Sequence, residues 1–122
     1  MIEKLLITAA AGGIGTSIRP LLPNLAQTVI LSDITPIEDL APHETFKACD
    51  LTDESAVAAL VECTDGIIHL GGVSIEKPFH MILQANILGL YNLFEGARIG
   101  GRPRIIVAST NPAIGYYRRD AR

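Results

Sequence analysis

The stretch from Lys4 to Gly15, KLLITAAAGGIG, limits the possible folds more than any other part of the chain. A short apolar run, Leu5 to Ile7, ends at Thr8 and passes directly into small residues, with Gly12, Gly13 and Gly15 opening a helical pattern. Strand, glycine turn and helix start, in that order, suit the pyrophosphate of a dinucleotide. Main-chain N–H groups stand there without side chains in the way, at a helix N-terminus whose partial positive charge favours phosphate. Gly12 and Gly15 occupy the approach and packing positions. The first glycine of the fingerprint is replaced by Ala10 in the G-x-G-x-x-G spacing, and by Ala9 in the G-x-x-x-G-x-G and G-x-x-G-x-x-G spacings. An alanine there keeps an ordinary backbone angle or carries a local strain of about 1 kcal/mol.

Downstream, strand patterns alternate with helical ones. A helix is expected from Gly13 to Leu25, with Ile14, Ile18, Leu21, Leu22 and Leu25 at i, i+3, i+4 spacing. Pro20 and Pro23 interrupt it, because a proline removes a hydrogen bond and crowds the carbonyl four residues back, so a kink or an early stop is expected. Thr28 to Leu31 is a β-rich strand with Asp33 at its carboxyl end. Asp33 follows the glycines by roughly 20 residues, the separation at which an acid accepts both hydroxyls of an adenosine ribose. The same carboxylate would repel a 2′-phosphate, and the following Ile34 and Thr35 supply no arginine to hold one, so the expected cofactor is NAD rather than NADP. The plainer reading makes Asp33 a turn residue before Pro36.

Thr35 to Glu44 reads as a surface loop, and Thr45 to Ala48 as a short strand ending in Cys49-Asp50-Leu51. Asp50 and Leu51 fall where a carboxylate can accept the adenine amino group and an apolar side chain can flank the ring. Asp50, Thr52 and Asp53 also precede a helix expected from Glu54 to Glu62, with Thr52 the better cap of the three. Gly66 to Leu70 is nearly all apolar, as in a buried parallel strand. His69 within it reads as a satisfied core histidine. Leu70, Gly71, Gly72 and Val73 follow, and two glycines at a strand end let main chain approach a ligand. Ser74 is either a substrate contact or a turn serine.

A long helix is expected from Pro78, in its first turn, to Arg98. Its main stripe is Phe79, Leu83, Asn86, Leu90, Leu93 and Ala97. Asn86 is the polar member, either a structural clamp or an orienting group for a bound cofactor, since a buried amide must find partners. Met81, Leu88 and Tyr91 make the opposite side apolar too, which implies a second packing partner and allows self-association through residues 78–98. Arg104 to Ala108 is the last strand. Ser109, Thr110 and Asn111 follow it, at the strand end that faces the ligand crevice in such sheets.

The pattern specifies an α/β fold, a Rossmann-like doubly wound parallel sheet of about five strands. Residues 1–117 are expected to form one cofactor-binding domain and 118–122 a frayed tail. With 122 residues, 48% hydrophobic and 19% charged, the chain holds a single core. A net charge of −3 argues against a phosphate-tracking nucleic-acid surface. No apolar run reaches the roughly 20 residues of a membrane span and no leader pattern precedes the first strand, so a cytoplasmic protein is expected. Cys49 and Cys63 lack metal-ligand spacing and read as buried free thiols, and no metal site is expected.

From Leu5 to Tyr117 the chain resembles the extended short-chain dehydrogenase/reductases of the epimerase/dehydratase type. The segments HLGGVSIEKPF, QANILGLYNLFEGAR and RIIVASTNPAIGYY are similar to those of bacterial members that oxidise hexuronic acids to aldarolactones. The resemblance covers about the first half of such an enzyme. It implies that Gly12 to Ile14, Asp33 to Thr35, Asp50 with Leu51, and Leu70 to Val73 hold NAD. It also implies that Ser74, Thr110 and Asn111 contact a sugar acid, with Thr110 bonding the reacting oxygen. Pro112 stands where the hexuronate-oxidising members carry a histidine. The family's base is a tyrosine with a lysine four residues on, and here Tyr116 is followed by Asp120 and Tyr117 by Ala121. The expected pair would lie beyond Arg122, and the 122 residues alone are expected to turn over poorly. A nucleotide-sugar epimerase or dehydratase, and a non-catalytic NAD-binding fragment, are the competing readings.

Overall fold

The computed structural model describes residues 1–62 and 64–109. Strands β1 (Ile2–Thr8), β2 (Ala26–Asp33), β3 (Glu44–Ala48), β4 (Gly66–His69) and β5 (Arg104–Val107) form one sheet in the order β3-β2-β1-β4-β5, and every pairing is parallel. This is the expected doubly wound arrangement, with the glycine-turn strand at its centre. The chain order reverses between β1 and β4, and a crevice opens at such a point because the connections leave in opposite directions.

The alternation of side chains along β1 divides the core in two. On one face Leu6 packs with Ile67 of β4 and with Val57 and Val61 of α2 (Glu54–Val61) and Leu93 and Ala97 of α4 (Gly89–Ile99). On the other, Leu5 and Ile7 pack with Val29 and Leu31 of β2 and with Leu22. Leu22 does not lie on an α-helix. Helix α1 (Gly13–Ile18) is only six residues long, and Arg19–Asn24 continues as a 3₁₀-helix with Pro20 in its first turn and Pro23 inside it. The early stop expected from the prolines occurs. The stripe drawn over them does not hold, since the tighter winding turns Leu21 outward and Ile14 and Leu25 are exposed as well.

The long helix departs from its expected form in two respects. Pro78 is its N-cap, in extended conformation, rather than a first-turn residue. Between α3 (Phe79–Ile82) and α4, Leu83–Leu88 winds as a π-helix. The wider turn breaks the 3.6-residue phase. Leu93 and Ala97 are therefore buried as the stripe requires, while Phe79 is 73% exposed and Leu83 is exposed. Ile87, Leu88, Tyr91 and Phe94 leave a further apolar side of this helix without cover among the described residues. No helix among them is long and apolar enough to cross a membrane.

Candidate functional site

A crevice of about 460 Å³ opens over the carboxyl ends of β1 to β4. Its walls include Thr8 and Ala9, Ser32 to Ile34, Cys49 to Thr52, and Gly71 to Val73, one strand end after another. Met81, Gln84 and Ala85 close a further side. The sequence reading omitted that contribution, which comes from α3 and the π-helical turn after it.

At the end of β1 the chain turns through Ala9, whose φ of 52° lies in the left-handed region. The first glycine's place is therefore taken by Ala9 rather than Ala10, as in the two spacings that begin there, and the strain of that alanine is accepted rather than avoided. Ala10 N donates to Ser32 O at 3.1 Å and Gly12 N to Ala9 O at 3.0 Å, which tie the turn to β2 and to itself. Gly15 is the packing glycine. A Cβ there would lie 2.5 Å from the Ala10 carbonyl oxygen, so helix and strand meet main chain to main chain. Gly12, the N-cap, is extended and brings no side-chain cap to the first-turn N–H groups.

Two carboxylates occupy the ends of β2 and β3. Asp33 Oδ2 accepts from Ala11 N and Oδ1 from Thr35 N, each at 3.0 Å, which leaves a second lone pair on each oxygen. The Asp33 side chain thereby links the glycine turn to the loop after β2. Asp50 Oδ1 accepts from Thr52 N at 2.9 Å and from Thr52 Oγ1 at 2.8 Å, and these bonds hold its carboxyl below the ordinary range. That arrangement overturns Thr52 as the cap of α2. The N-cap is Asp53, whose Oδ1 accepts from Ala56 N at 3.1 Å, and the Thr52 side chain turns to Asp50 instead. The neighbouring Cys49 is a buried free thiol whose pKa is raised, first by burial and then by Asp53 and Asp50.

The opposite wall is assembled from side chains that reach across the fold. Thr8 Oγ1 accepts from Leu70 N at 3.0 Å and Gly71 N at 3.2 Å. His69 is buried, as expected of a core histidine, with its Nδ1 2.8 Å from the Thr8 hydroxyl and its pKa lowered by burial. Asn86 accepts from Val73 N at 2.6 Å and donates to Val73 O at 2.9 Å, a two-point clamp on the main chain of the crevice wall. Asn92, buried on α4, donates to Leu51 O at 2.9 Å and so steadies the residue after Asp50. The sequence reading missed Asn92. The only available signal was one polar residue between buried Leu93 and half-buried Leu90.

Of the candidate residues, the fold brings Asp33, Ile34, Asp50, Leu51, Gly71, Gly72 and Val73 to one cavity. Gly12, Gly13, Ile14, Thr35 and Leu70 lie outside its lining, as does Gly15, which is buried in packing. Asn86 supports the wall rather than lining it. Ser74 is exposed, outside the cavity lining. Thr110 and Asn111, together with Tyr116 and Tyr117, lie outside the described residues, and so does Cys63. Among the described residues no group of three His, Cys, Asp or Glu side chains could hold a metal ion.

Known proteins share this arrangement. The chain is 50% identical over 121 residues to a uronate dehydrogenase of Pseudomonas putida, covering 98% of this chain and 45% of that one. A solved glucuronic acid dehydrogenase from Chromohalobacter salexigens superposes with a TM-score of 0.93 at 57% identity, covering 96% of this chain and 44% of that one. A mutant uronate dehydrogenase from Agrobacterium tumefaciens, solved in complex with NAD, superposes with a TM-score of 0.90 at 51% identity, over 94% of this chain and 43% of that one. The chain thus spans less than half the length of these relatives. The sequence profile described as the NAD dependent epimerase/dehydratase family matches residues 5–121, nearly the whole chain, and on that match, with the parallel sheet and its strand-end crevice, the chain belongs to this family.

Proposed function

We propose that this chain forms the cofactor-holding part of an NAD-dependent uronate dehydrogenase, which moves a hydride from the anomeric carbon of a hexuronic acid to NAD and leaves an aldarolactone. The observation that carries the reading is the single crevice shared by Asp33, Asp50 and the Gly71–Val73 turn. Its fit to the cofactor rests on two features. The lone pairs left on Asp33 suit a ribose diol, and Gly71 keeps the wall free of a Cβ that would stand 2.6 Å from Leu51 Cδ1.

In this reading Asp33 accepts the adenosine ribose hydroxyls and excludes a 2′-phosphate, with Ile34 and Thr35 beside it. Asp50 accepts the adenine amino group and Leu51 flanks the ring. The main chain of Gly12 to Ile14 faces the pyrophosphate, with Gly15 packing behind it. Leu70 to Val73, held by Thr8 and Asn86, runs under the nicotinamide half. NAD supplies the hydride acceptor, while the protein supplies orientation and exclusion of water. Thr110 bonds the reacting hydroxyl, and Ser74 and Asn111 position the sugar. Proton removal is not given to Tyr91, Tyr116 or Tyr117, because Glu95, Asp120 and Ala121 stand where a lysine would be needed to stabilise the phenolate. Residues 1–117 act as one cofactor-binding unit and 118–122 as a tail. The protein is cytoplasmic and associates with itself through the uncovered apolar side of the helix that begins at Phe79.

The test is titration with NAD and NADP, then incubation with NAD and galacturonate or glucuronate while the absorbance of reduced cofactor is followed. Binding that favours NAD, with slow turnover, is expected. A folded sample that takes up no NAD, or binds NADP equally well, defeats the cofactor assignment; rapid turnover means that another base within this chain substitutes for the missing tyrosine–lysine pair.

A further inference from the structure

The ends of β1 and β4 meet at one hydroxyl. Thr8 Oγ1 has three polar neighbours: Leu70 N at 3.0 Å, Gly71 N at 3.2 Å and His69 Nδ1 at 2.8 Å. A threonine hydroxyl offers two lone pairs and one proton. The two main-chain N–H groups can only donate, so they occupy both lone pairs, and the hydroxyl proton must go to Nδ1. Nδ1 is then the bare nitrogen of the ring, and the proton of the neutral imidazole sits on Nε2. Thr8 is 1% exposed and His69 3%, so water does not replace any of these partners without opening the site. The ring also lies directly behind the turn, since a Cβ on Gly71 would come within 3.0 Å of His69 Cε1.

We infer that His69 is a positioning residue for the cofactor: by accepting the Thr8 hydroxyl proton it aims both Thr8 lone pairs at Leu70 and Gly71 and fixes the glycine turn against the crevice. The inference rests on the NAD reading above. A ring with a proton on Nδ1 would force the hydroxyl to turn and accept from it. One of the two N–H groups would then lose its acceptor, and an unsatisfied buried donor favours rearrangement of the turn. His69 acts only through Thr8, so its effect must vanish when Thr8 has no hydroxyl.

That dependence makes the test a double-mutant cycle, with NAD affinity of the full chain measured by titration calorimetry. Thr8→Val and His69→Phe are each expected to weaken NAD binding about tenfold, the loss of one buried hydrogen bond's worth of ordering. The double variant is expected to be no weaker than Thr8→Val alone. His69→Asn, which keeps an acceptor oxygen near the Nδ1 position, is expected to stay within about threefold of the parent. Affinity unchanged in His69→Phe, or losses that multiply to about a hundredfold in the double variant, overturns the inference while leaving NAD binding intact. Absence of NAD binding in the folded parent overturns the cofactor reading and this inference with it. If the variants fail to fold, the nitrogen-15 signals of the parent imidazole decide. A neutral ring protonated on Nε2 supports the arrangement, and a ring protonated on Nδ1 at neutral pH overturns it.

Discussion

The two walls of the crevice are built by different means. Along β2 and β3 the groups facing the cavity are carboxylates, each held by a main-chain N–H two residues on, Thr35 N to Asp33 and Thr52 N to Asp50, with Ala11 N as a second donor to Asp33. Along β1 and β4 side chains reach further along the chain, Thr8 to Gly71 across 63 positions and Asn86 to Val73 across 13. The comparison teaches that charge selects a ligand at the first wall, where solvent already reaches the groups. At the second, packing and hydrogen-bond satisfaction shape the cavity, and substitutions there act on the fold and the site together.

Glu44 challenges that division most. It opens β3, on the carboxylate side, yet its side chain is only 2% exposed and is bound by Arg19, with Nε to Oε1 at 2.8 Å, and by Ala41 N at 2.8 Å. Arg19→Ala leaves this carboxylate buried without its partner, and a loss of about 3 kcal/mol is expected in denaturant unfolding at neutral pH. The pH dependence sharpens the point. The Arg19 guanidinium holds the Glu44 carboxyl below its ordinary value of 4.5. The stabilisation is therefore complete above that value and is lost as pH falls through the depressed one. The gap between parent and variant should narrow in acid; a gap that widens would contradict the assignment.

Gly15→Ala tests the packing behind the end of β1, outside the crevice lining, where main chain meets main chain. The added Cβ would lie 2.5 Å from Ala10 O and 2.8 Å from Ala10 C, and neither atom can swing aside as a side chain does. A loss of about 2 kcal/mol is expected, visible as a lower unfolding midpoint. A smaller effect comes from Asp33→Asn. NAD affinity should fall about tenfold and the discrimination against NADP should shrink, with less change in unfolding midpoint than Arg19→Ala produces. If stability falls as far as affinity does, the two walls are not as distinct as described. The smallest change is Ala9→Gly, which relieves the left-handed φ of 52° but makes the unfolded chain freer. A net gain of about 0.5 kcal/mol in unfolding free energy is expected.

Much of the sheet was legible because its signals are local. An apolar run bounded by glycines reads as a buried strand whatever surrounds it, and Pro20 and Pro23 end an α-helix by sterics internal to the segment. Asp33 and Asp50 were legible because each stands at a strand end, Asp33 at roughly the 20-residue separation from the glycines that a ribose-binding acid keeps; its bond from Ala11 N, 22 positions back, was not legible. The cap of α2 is Asp53 rather than the adjacent Thr52, because the backbone places the Thr52 side chain on Asp50, a choice among neighbouring candidates that composition does not encode. The stripe of the long helix failed at Phe79 and Leu83, since a 3.6-residue period cannot anticipate a π-helical turn.

The amino-acid order by itself determined which segments become strands, where the glycine turn lies and which acids stand at the strand ends. These properties follow from steric limits and periodicities that act over a few neighbouring residues. Only the tertiary structure decided that Thr8 meets His69 and Gly71, that Arg19 neutralises Glu44 and that Asn86 and Asn92 hold Val73 and Leu51. Each such pair depends on which residues the sheet and its helices place within about 3 Å of one another, and a hydrogen bond falls away steeply beyond that distance.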